Sequence, residues 1–85
     1  MNNDADQTLR QILADVLGLS AERVSAFNAD SGLFGHLPEL DSMSVAGLLT
    51  EMEDRFGFII DDDEVDGELL ESYGSLLAFA RSKLG

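Results

Sequence analysis

Cysteine and tryptophan are both absent from the 85 residues, and proline occurs once. Without cysteine the chain can form neither a disulfide framework nor a thiolate metal site, and any thioester chemistry would need a sulfur from elsewhere. No apolar run approaches the ~20 residues that a membrane-spanning helix needs, so we expect no membrane insertion. The first residues, MNNDADQ, lack the basic segment and apolar run of a secretory signal, which favours a cytoplasmic protein.

Basic residues are scarce: five Lys and Arg stand against 17 Asp and Glu, for a formal net charge of -12. Thirteen of the acids fall between Asp30 and Glu71, where Arg55 is the single Lys or Arg. Such a field repels nucleic acid and anionic membranes and favours protein partners with basic docking patches. The simpler alternative, that the acids only keep a small protein soluble, stays open on charge alone.

The chain is long enough for one small domain, and we expect residues 1–85 to form it, with about residues 1–5 as a flexible N-terminus and no oligomer partner. A domain of this size buries about 60% of the surface of its unfolded chain. The apolar fraction, 45%, supports a modest core but leaves little room for an enclosed active site. A self-sufficient enzyme is therefore not expected.

Three segments show the 3.6-residue periodicity of an amphipathic helix. Gly18 offers a stop for the first and Gly57 for the second, and a connection of mixed character from about Gly18 to Leu40 separates these two. A short fourth helix is expected over Glu68 to Ser72. The sequence thus predicts an all-α fold, a small four-helix bundle with three main helices, one short helix and a long first loop. The three apolar faces are Leu9, Ile12, Leu13, Val16, Leu17; Val45, Leu48, Leu49, Met52, Phe56; and Tyr73, Leu76, Leu77, Ala80, Leu84.

Ser42 lies at the start of the second predicted helix, directly after Asp41. Asp41 is a good N-cap residue, which would make Ser42 the first helical residue and leave its hydroxyl exposed. The free N–H groups and partial positive charge of a helix N-terminus suit a phosphate at that position, and Met43 and Val45 could form an apolar lip around it. A serine that only caps the helix is the alternative.

A nucleophilic Ser42 would need a base within hydrogen-bond reach and usually a third group to orient that base. The one histidine, His36, lies six residues upstream in the predicted loop, and the sequence around Ser42 lacks the G-x-S-x-G elbow. We therefore do not expect hydrolase chemistry.

The segment from Glu39 to Ile60, ELDSMSVAGLLTEMEDRFGFII, closely resembles the second-helix signature of acyl carrier proteins. In that family the serine of a D-S-L triplet carries 4'-phosphopantetheine, and an E-x-x-F-G-x-x-I pattern follows. The resemblance extends over most of the chain, because LADVLGLSAERV and LLAFARSKL are similar to the first and last helices of the family. The triplet alone would be weak, but joined to the downstream pattern at this distance it is specific.

The resemblance implies that Ser42 is the attachment site and that a separate phosphopantetheinyl transferase installs the arm from coenzyme A with magnesium. Asp41 would position the serine and assist the metal of the transferase. The thiol of the arm would hold acyl groups as thioesters and present them to acyl-loading and acyl-transferring enzymes. The protein itself would be a non-catalytic carrier.

The resemblance also implies roles for two further groups of residues. The acids Glu51, Glu53 and Asp54 on the second helix would form the partner-docking surface. A fatty chain slipping between the helices would meet the acyl-pocket candidates Leu48, Leu49, Met52, Phe56, Leu69 and Leu70. Plain core packing is the alternative role for these six.

Several positions depart from the family pattern. Met43 replaces the usual leucine, Ser44 and Gly47 stand where acids are common, and Arg55 adds a positive charge. The last helix begins with Tyr73-Gly74-Ser75 instead of the usual threonine-led start. These changes predict a carrier for a specialised pathway, with fatty-acid, polyketide and other uses left open.

Three rival functions remain from the sequence. A peptidyl or aminoacyl carrier uses the same arm but typically has glycines before the serine, whereas this chain has Asp41. A calcium-binding loop would start at Asp62, with Glu64 and Asp66 as further ligands, but its twelfth position is Tyr73 where a bidentate glutamate is required. The third rival is a carrier-like docking subunit that never receives an arm.

Overall fold

The structure is a computed structural model that describes residues 3–84 and the side chains of residues 5–84. Its helices are α1 (Asn3–Leu17), α2 (Ala21–Ser25), α3 (Ser42–Phe56) and α4 (Tyr73–Leu84), with a 3₁₀ turn over Asp62–Glu64. Helix α1 packs against each of the other three. No strand is present in residues 3–84, and the predicted all-α four-helix fold is confirmed. None of the helices within this range is both long and apolar enough to cross a bilayer.

The three main helices begin and end where the sequence predicted. Asp41 caps α3, because its side chain accepts a hydrogen bond from the backbone N–H of Ser44 at 2.8 Å. Gly18 and Gly57 follow α1 and α3 in the left-handed region, with φ of 70° and 79°, where glycine has no Cβ to clash. The predicted apolar faces meet in one core, except that Leu84, at the end of the third face, is 48% exposed. Among the described residues the fully buried large side chains are Leu9, Ile12, Leu13, Leu33, Leu48, Met52, Tyr73 and Leu76.

The short helix predicted over Glu68 to Ser72 is wrong, since residues 67–71 form turns. The fourth helix is α2, inside the long first connection, where the Ser20 side chain caps it by accepting from the N–H of Arg23. In the turn region the Leu70 carbonyl accepts from the N–H of Phe34, 36 positions earlier in the chain, instead of from a residue one turn later. Long-range pairing has replaced the local hydrogen bonds that a helix would need.

The pairing forms a short ladder between residues 29–34 and 70–74. The N–H of Leu33 donates to the Glu71 carbonyl at 3.1 Å and that of Phe34 to the Leu70 carbonyl at 2.9 Å. From the other side, the N–H of Tyr73 donates to the Ser31 carbonyl at 2.8 Å, and the N–H of Gly74 donates to a carbonyl at 3.1 Å. This ladder ties the long first connection to the start of α4.

Gly74 allows the close approach at the end of this ladder. A Cβ at Gly74 would lie 2.7 Å from the backbone oxygen of Ala29, closer than van der Waals contact allows. Glycine at position 74, which departs from the usual start of the last helix in acyl carrier proteins, is therefore required by the close packing of the ladder.

A polar network centred on Arg10 of α1 joins this helix to α2, to the segment that follows α2 and to α4. Its guanidinium donates to the carbonyls of Val24 and Phe27 and to the carboxylate of Asp6. It also lies 4.7 Å from the centroid of the Tyr73 ring, a distance suited to a cation–π contact. The Tyr73 hydroxyl in turn donates to Asp6 Oδ1 at 2.5 Å, and burial of the ring raises the pKa of Tyr73.

The predicted flexible N-terminus falls only partly within the described residues. Residues 1 and 2 lie outside them, whereas α1 begins at Asn3. Ala5 is buried, with 6% of its surface exposed. The flexibility of the N-terminus stays a prediction.

Candidate functional site

Ser42 is the first residue of α3 and is exposed to solvent. Asp41 precedes it in an extended conformation, with φ of -111°, and takes the capping role. The hydrogen bond from the N–H of Ser44 holds the pKa of Asp41 below its usual value, so this carboxylate is ionised at neutral pH. Since Asp41 caps the helix, capping does not account for the Ser42 hydroxyl.

Two surface grooves meet at Ser42. The inner groove, about 260 Å³, runs from Ser42 towards the turn before α4 and is lined by Phe34, Ser42, Val45, Asp66, Gly67 and Leu70. The loop groove, about 470 Å³, follows the end of the first connection and is lined by Phe34, Gly35, His36, Leu37, Pro38, Leu40, Asp41 and Ser42. Among the described residues, only Phe34 and Ser42 line both grooves. A group attached to Ser42 thus has two directions along the surface, and Phe34 borders both.

The two predicted lip residues differ in position. Val45 lines the inner groove, whereas Met43 is 85% exposed and lines neither groove. Met43 therefore offers an apolar contact to solvent or to a partner beside Ser42. Sequence reasoning missed Phe34, the half-exposed aromatic residue of the site, because it lies in the irregular first connection where no periodicity marks it.

The three acids predicted to dock partners make different contacts on α3. Glu51 pairs with Arg55 at 3.0 Å, and Arg55 also reaches Asp15 of α1 at 2.8 Å. Glu53 accepts a hydrogen bond from the backbone N–H of Ile60 at 2.8 Å, which fixes the chain after α3. Asp54 is exposed. Two of the three carboxylates are thus already engaged within the chain.

The six acyl-pocket candidates all belong to the core cluster or pack against it. Leu48 and Met52 are fully buried, Leu69 and Leu70 nearly so, and Leu49 and Phe56 are half-buried. Leu70 is the member that also lines the inner groove. Leu70 therefore belongs both to the groove beside Ser42 and to the core, while a cargo-binding role for the six stays a prediction.

The acidic segment after α3 has the contacts of a structural turn. Glu64 accepts from Lys83 of α4 at 2.8 Å and from the N–H of Asp61 at 2.9 Å. Asp66 accepts from the N–H of Leu69 at 2.9 Å. Within the described residues no cluster of three or more potential ligands is placed to hold a metal ion. The geometry therefore gives no support to the calcium-binding alternative.

The site fits a phosphate ester on Ser42. Ser42 is exposed and stands at the N-terminus of a 15-residue helix, where the helix dipole favours negative charge. The groove beside it can receive the apolar part of an attached group. The ionised Asp41 directly precedes Ser42, and its role in positioning the serine stays a prediction.

Comparison with known proteins agrees with this geometry. The family model described as "Phosphopantetheine attachment site" matches residues 7–81, and the chain therefore belongs to this family of carrier domains. The predicted membership is confirmed.

The chain is also similar to a solved member of the class. The solution NMR structure of a holo acyl carrier protein from Nitrosomonas europaea aligns with it at a TM-score of 0.84 and 44% sequence identity, over 93% of this chain and 94% of that one. The predicted acyl carrier function and the 4'-phosphopantetheine cofactor are both supported by these comparisons.

Proposed function

We propose that Ser42 carries the 4'-phosphopantetheine arm and that the protein delivers acyl groups within a specialised pathway as a cytoplasmic monomer. The observation that supports this most strongly is the exposed Ser42 hydroxyl at the capped start of α3, at the junction of two grooves. When attached, the arm supplies the thiol that this cysteine-free chain lacks.

The residues around Ser42 have separate tasks in this proposal. The Ser42 hydroxyl receives the phosphopantetheinyl group from coenzyme A in the active site of a transferase. Asp41 holds the first turn of α3 through the N–H of Ser44, which fixes the direction of the Ser42 side chain, and it assists the transferase metal. The domain then raises the effective concentration of its tethered cargo for a docked enzyme.

Intact-mass analysis tests the attachment site. The native protein, Ser42→Ala and Ser44→Ala are each incubated with coenzyme A, magnesium and a broad-specificity phosphopantetheinyl transferase. We expect the native chain and Ser44→Ala to gain one phosphopantetheine and Ser42→Ala to gain none. Modification of Ser42→Ala, or an unmodified native chain after treatment with several competent transferases, would reject the assignment.

Docking to partner enzymes is the second step of the proposed function. The net charge of -12 favours basic patches on transferases and acyl-handling enzymes and speeds their encounter. Of the acids on α3, Asp54 is exposed, and we assign it the main docking charge, with Glu51 and Glu53 contributing to the field around it.

Charge reversal at Asp54 should slow association with such an enzyme. We expect Asp54→Lys to reduce the association rate constant several-fold at low salt, with the difference fading as salt screens the charges. Glu22→Lys, on the exposed surface of α2, makes the same change in net charge and is the matched control. Equal rates for the two variants, measured by stopped-flow binding to the transferase, would show that only total charge matters.

The specialised pathway rests on the chemistry of α3. Arg55 pairs with both Glu51 and Asp15, and its single positive charge offsets one of their two negative charges. The docking surface is therefore less acidic than it would be with Glu51, Glu53 and Asp54 alone. We expect weaker binding to enzymes of general fatty-acid synthesis than a general carrier shows. Ordinary affinity for those enzymes, measured by titration calorimetry, would count against the specialised role.

A further inference from the structure

One aromatic residue borders both grooves at Ser42. Phe34 lines the inner groove and the loop groove and is 48% exposed. About half of the surface of Phe34 is therefore exposed to solvent next to Ser42.

The position of Phe34 is fixed by its backbone. Its N–H donates to the Leu70 carbonyl at 2.9 Å, and the N–H of Leu33 donates to the Glu71 carbonyl at 3.1 Å. Phe34 and Leu70 also line the same groove. Two of the residues that form the inner groove are therefore joined by a backbone hydrogen bond. Because the backbone is already held, the inner groove can bind an apolar group with little further ordering cost.

The two grooves differ in chemistry. In the inner groove Phe34, Val45 and Leu70 offer apolar side chains, and the Asp66 carboxylate is engaged by the N–H of Leu69. The loop groove also has apolar residues, Leu37, Pro38 and Leu40, but Asp41 and His36 line it as well. An apolar group therefore meets a more polar surface there than in the inner groove.

The arm has one apolar segment close to its point of attachment. In 4'-phosphopantetheine the carbon next to the phosphate ester is followed by a quaternary carbon with two methyl groups, and the amides and the thiol come later. From Ser42 this gem-dimethyl group reaches the mouth of a groove before any other apolar part of the arm.

We propose that Phe34 is a positioning residue for the arm and that its ring, with Val45 and Leu70, holds the gem-dimethyl group in the inner groove. This inference rests on the proposed attachment at Ser42. It gives the proximal arm a preferred direction, towards the turn before α4, and leaves the thiol end free to reach partner enzymes. Phe34 makes this contact by packing its ring against methyl groups, a role that leucine can partly fill and alanine cannot.

The test is nuclear Overhauser spectroscopy of the holo protein with a ¹³C-labelled arm. We expect cross-peaks from the gem-dimethyl group to the methyl groups of Val45 and Leu70. Phe34→Ala should reduce their intensity more than two-fold, while Phe34→Leu should retain most of it. Met43→Ala is the control, since Met43 is also apolar and adjacent to Ser42 but lines neither groove.

The outcomes separate this inference from the proposed function. Cross-peaks to Leu37 and Leu40 of the loop groove, no cross-peaks to either groove, or intensities unchanged in Phe34→Ala would overturn the role of Phe34. Each of those results is compatible with a normal gain of one phosphopantetheine at Ser42, so the attachment would stand. If Phe34→Ala does not fold, the native pattern and the retained signal in Phe34→Leu, with an unchanged thermal midpoint, decide the question.

Discussion

Replacing Leu48 by alanine is expected to lower the free energy of unfolding of the unmodified protein by about 2–5 kcal/mol. Leu48 is fully buried on α3, and α3 packs against α1. Truncation removes apolar contacts and leaves a cavity that the packed helices fill only in part. Since a domain of this kind has ~5–15 kcal/mol of total stability, the loss is a large fraction of the whole.

Urea denaturation followed by circular dichroism measures this loss. Leu84→Ala is the matched control, because Leu84 is 48% exposed at the end of α4, and we expect its effect to stay within about 0.5 kcal/mol. A deficit for Leu48→Ala no larger than that of the control would contradict the assignment of Leu48 to the core.

The same variant separates core packing from cargo binding. If an acyl chain enters the core beside Leu48, it fills part of the cavity, and the deficit of Leu48→Ala should shrink in the acylated protein relative to the unmodified one. An equal deficit in both forms would leave Leu48 with a packing role alone. Met52 is equally buried, so the stability of Met52→Ala in the unmodified and acylated forms can be compared in the same way.

The main helices were predictable because their signals are local. Leu9 to Leu17 and Val45 to Phe56 repeat with the helical period, and Asp41 and Gly57 mark the two ends of α3 by capping chemistry. The same local signals placed Ser42 at an exposed helix start, and the family resemblance supplied its chemistry. Residues close together in the sequence were therefore enough to predict the main helices and the position of Ser42.

The errors lie where distant segments pair. Helix α2 has five residues and one buried side chain, Val24, too few to show a period. The ladder that forms in place of the predicted helix over Glu68 to Ser72 joins backbone groups far apart in sequence. No side-chain pattern in the sequence indicates which carbonyl accepts the hydrogen bond from the N–H of Phe34. The inner groove was missed for the same reason, because its walls come from both partners of that ladder.

The docking surface was only partly predictable as well. A sequence gives the number of acids on a helix, but Glu51 is paired through Arg55 and Glu53 is bound to a backbone N–H. Such internal partners depend on where the chain turns after α3. Charge counts therefore overstate the number of carboxylates offered to a partner.

Replacing Arg10 by methionine is expected to destabilise the protein by about 2–4 kcal/mol, since hydrogen bonds to charged groups are worth ~1.5–3 kcal/mol and several are lost together. Methionine keeps the apolar stem but abandons the carbonyls of Val24 and Phe27, the carboxylate of Asp6 and the face of Tyr73. Thermal unfolding should show a fall of the midpoint by about 4–8 °C per kcal/mol for a domain of this size.

Arg23→Met is the matched control for Arg10→Met. Arg23 forms an ion pair with Glu39 at 2.6 Å, but its side chain is 46% exposed, and such surface pairs contribute about 0–1 kcal/mol. Equal midpoints for the two variants would show that the Arg10 network stabilises no more than an ordinary surface pair.

Acid should narrow the gap between the native protein and Arg10→Met. Burial alone would raise the pKa of Asp6, but the hydrogen bonds from Tyr73 and Arg10 outweigh it and hold that pKa below the ordinary 3.8. A carboxyl group with a lowered folded pKa contributes its full stability above the unfolded value and loses it as the pH falls through the folded one. The advantage of the native protein should thus be constant from neutral pH down to about pH 5 and decline below about pH 4. A gap that stays constant through that acidic range would place the stabilisation in the carbonyl and ring contacts of Arg10 and remove Asp6 from the network.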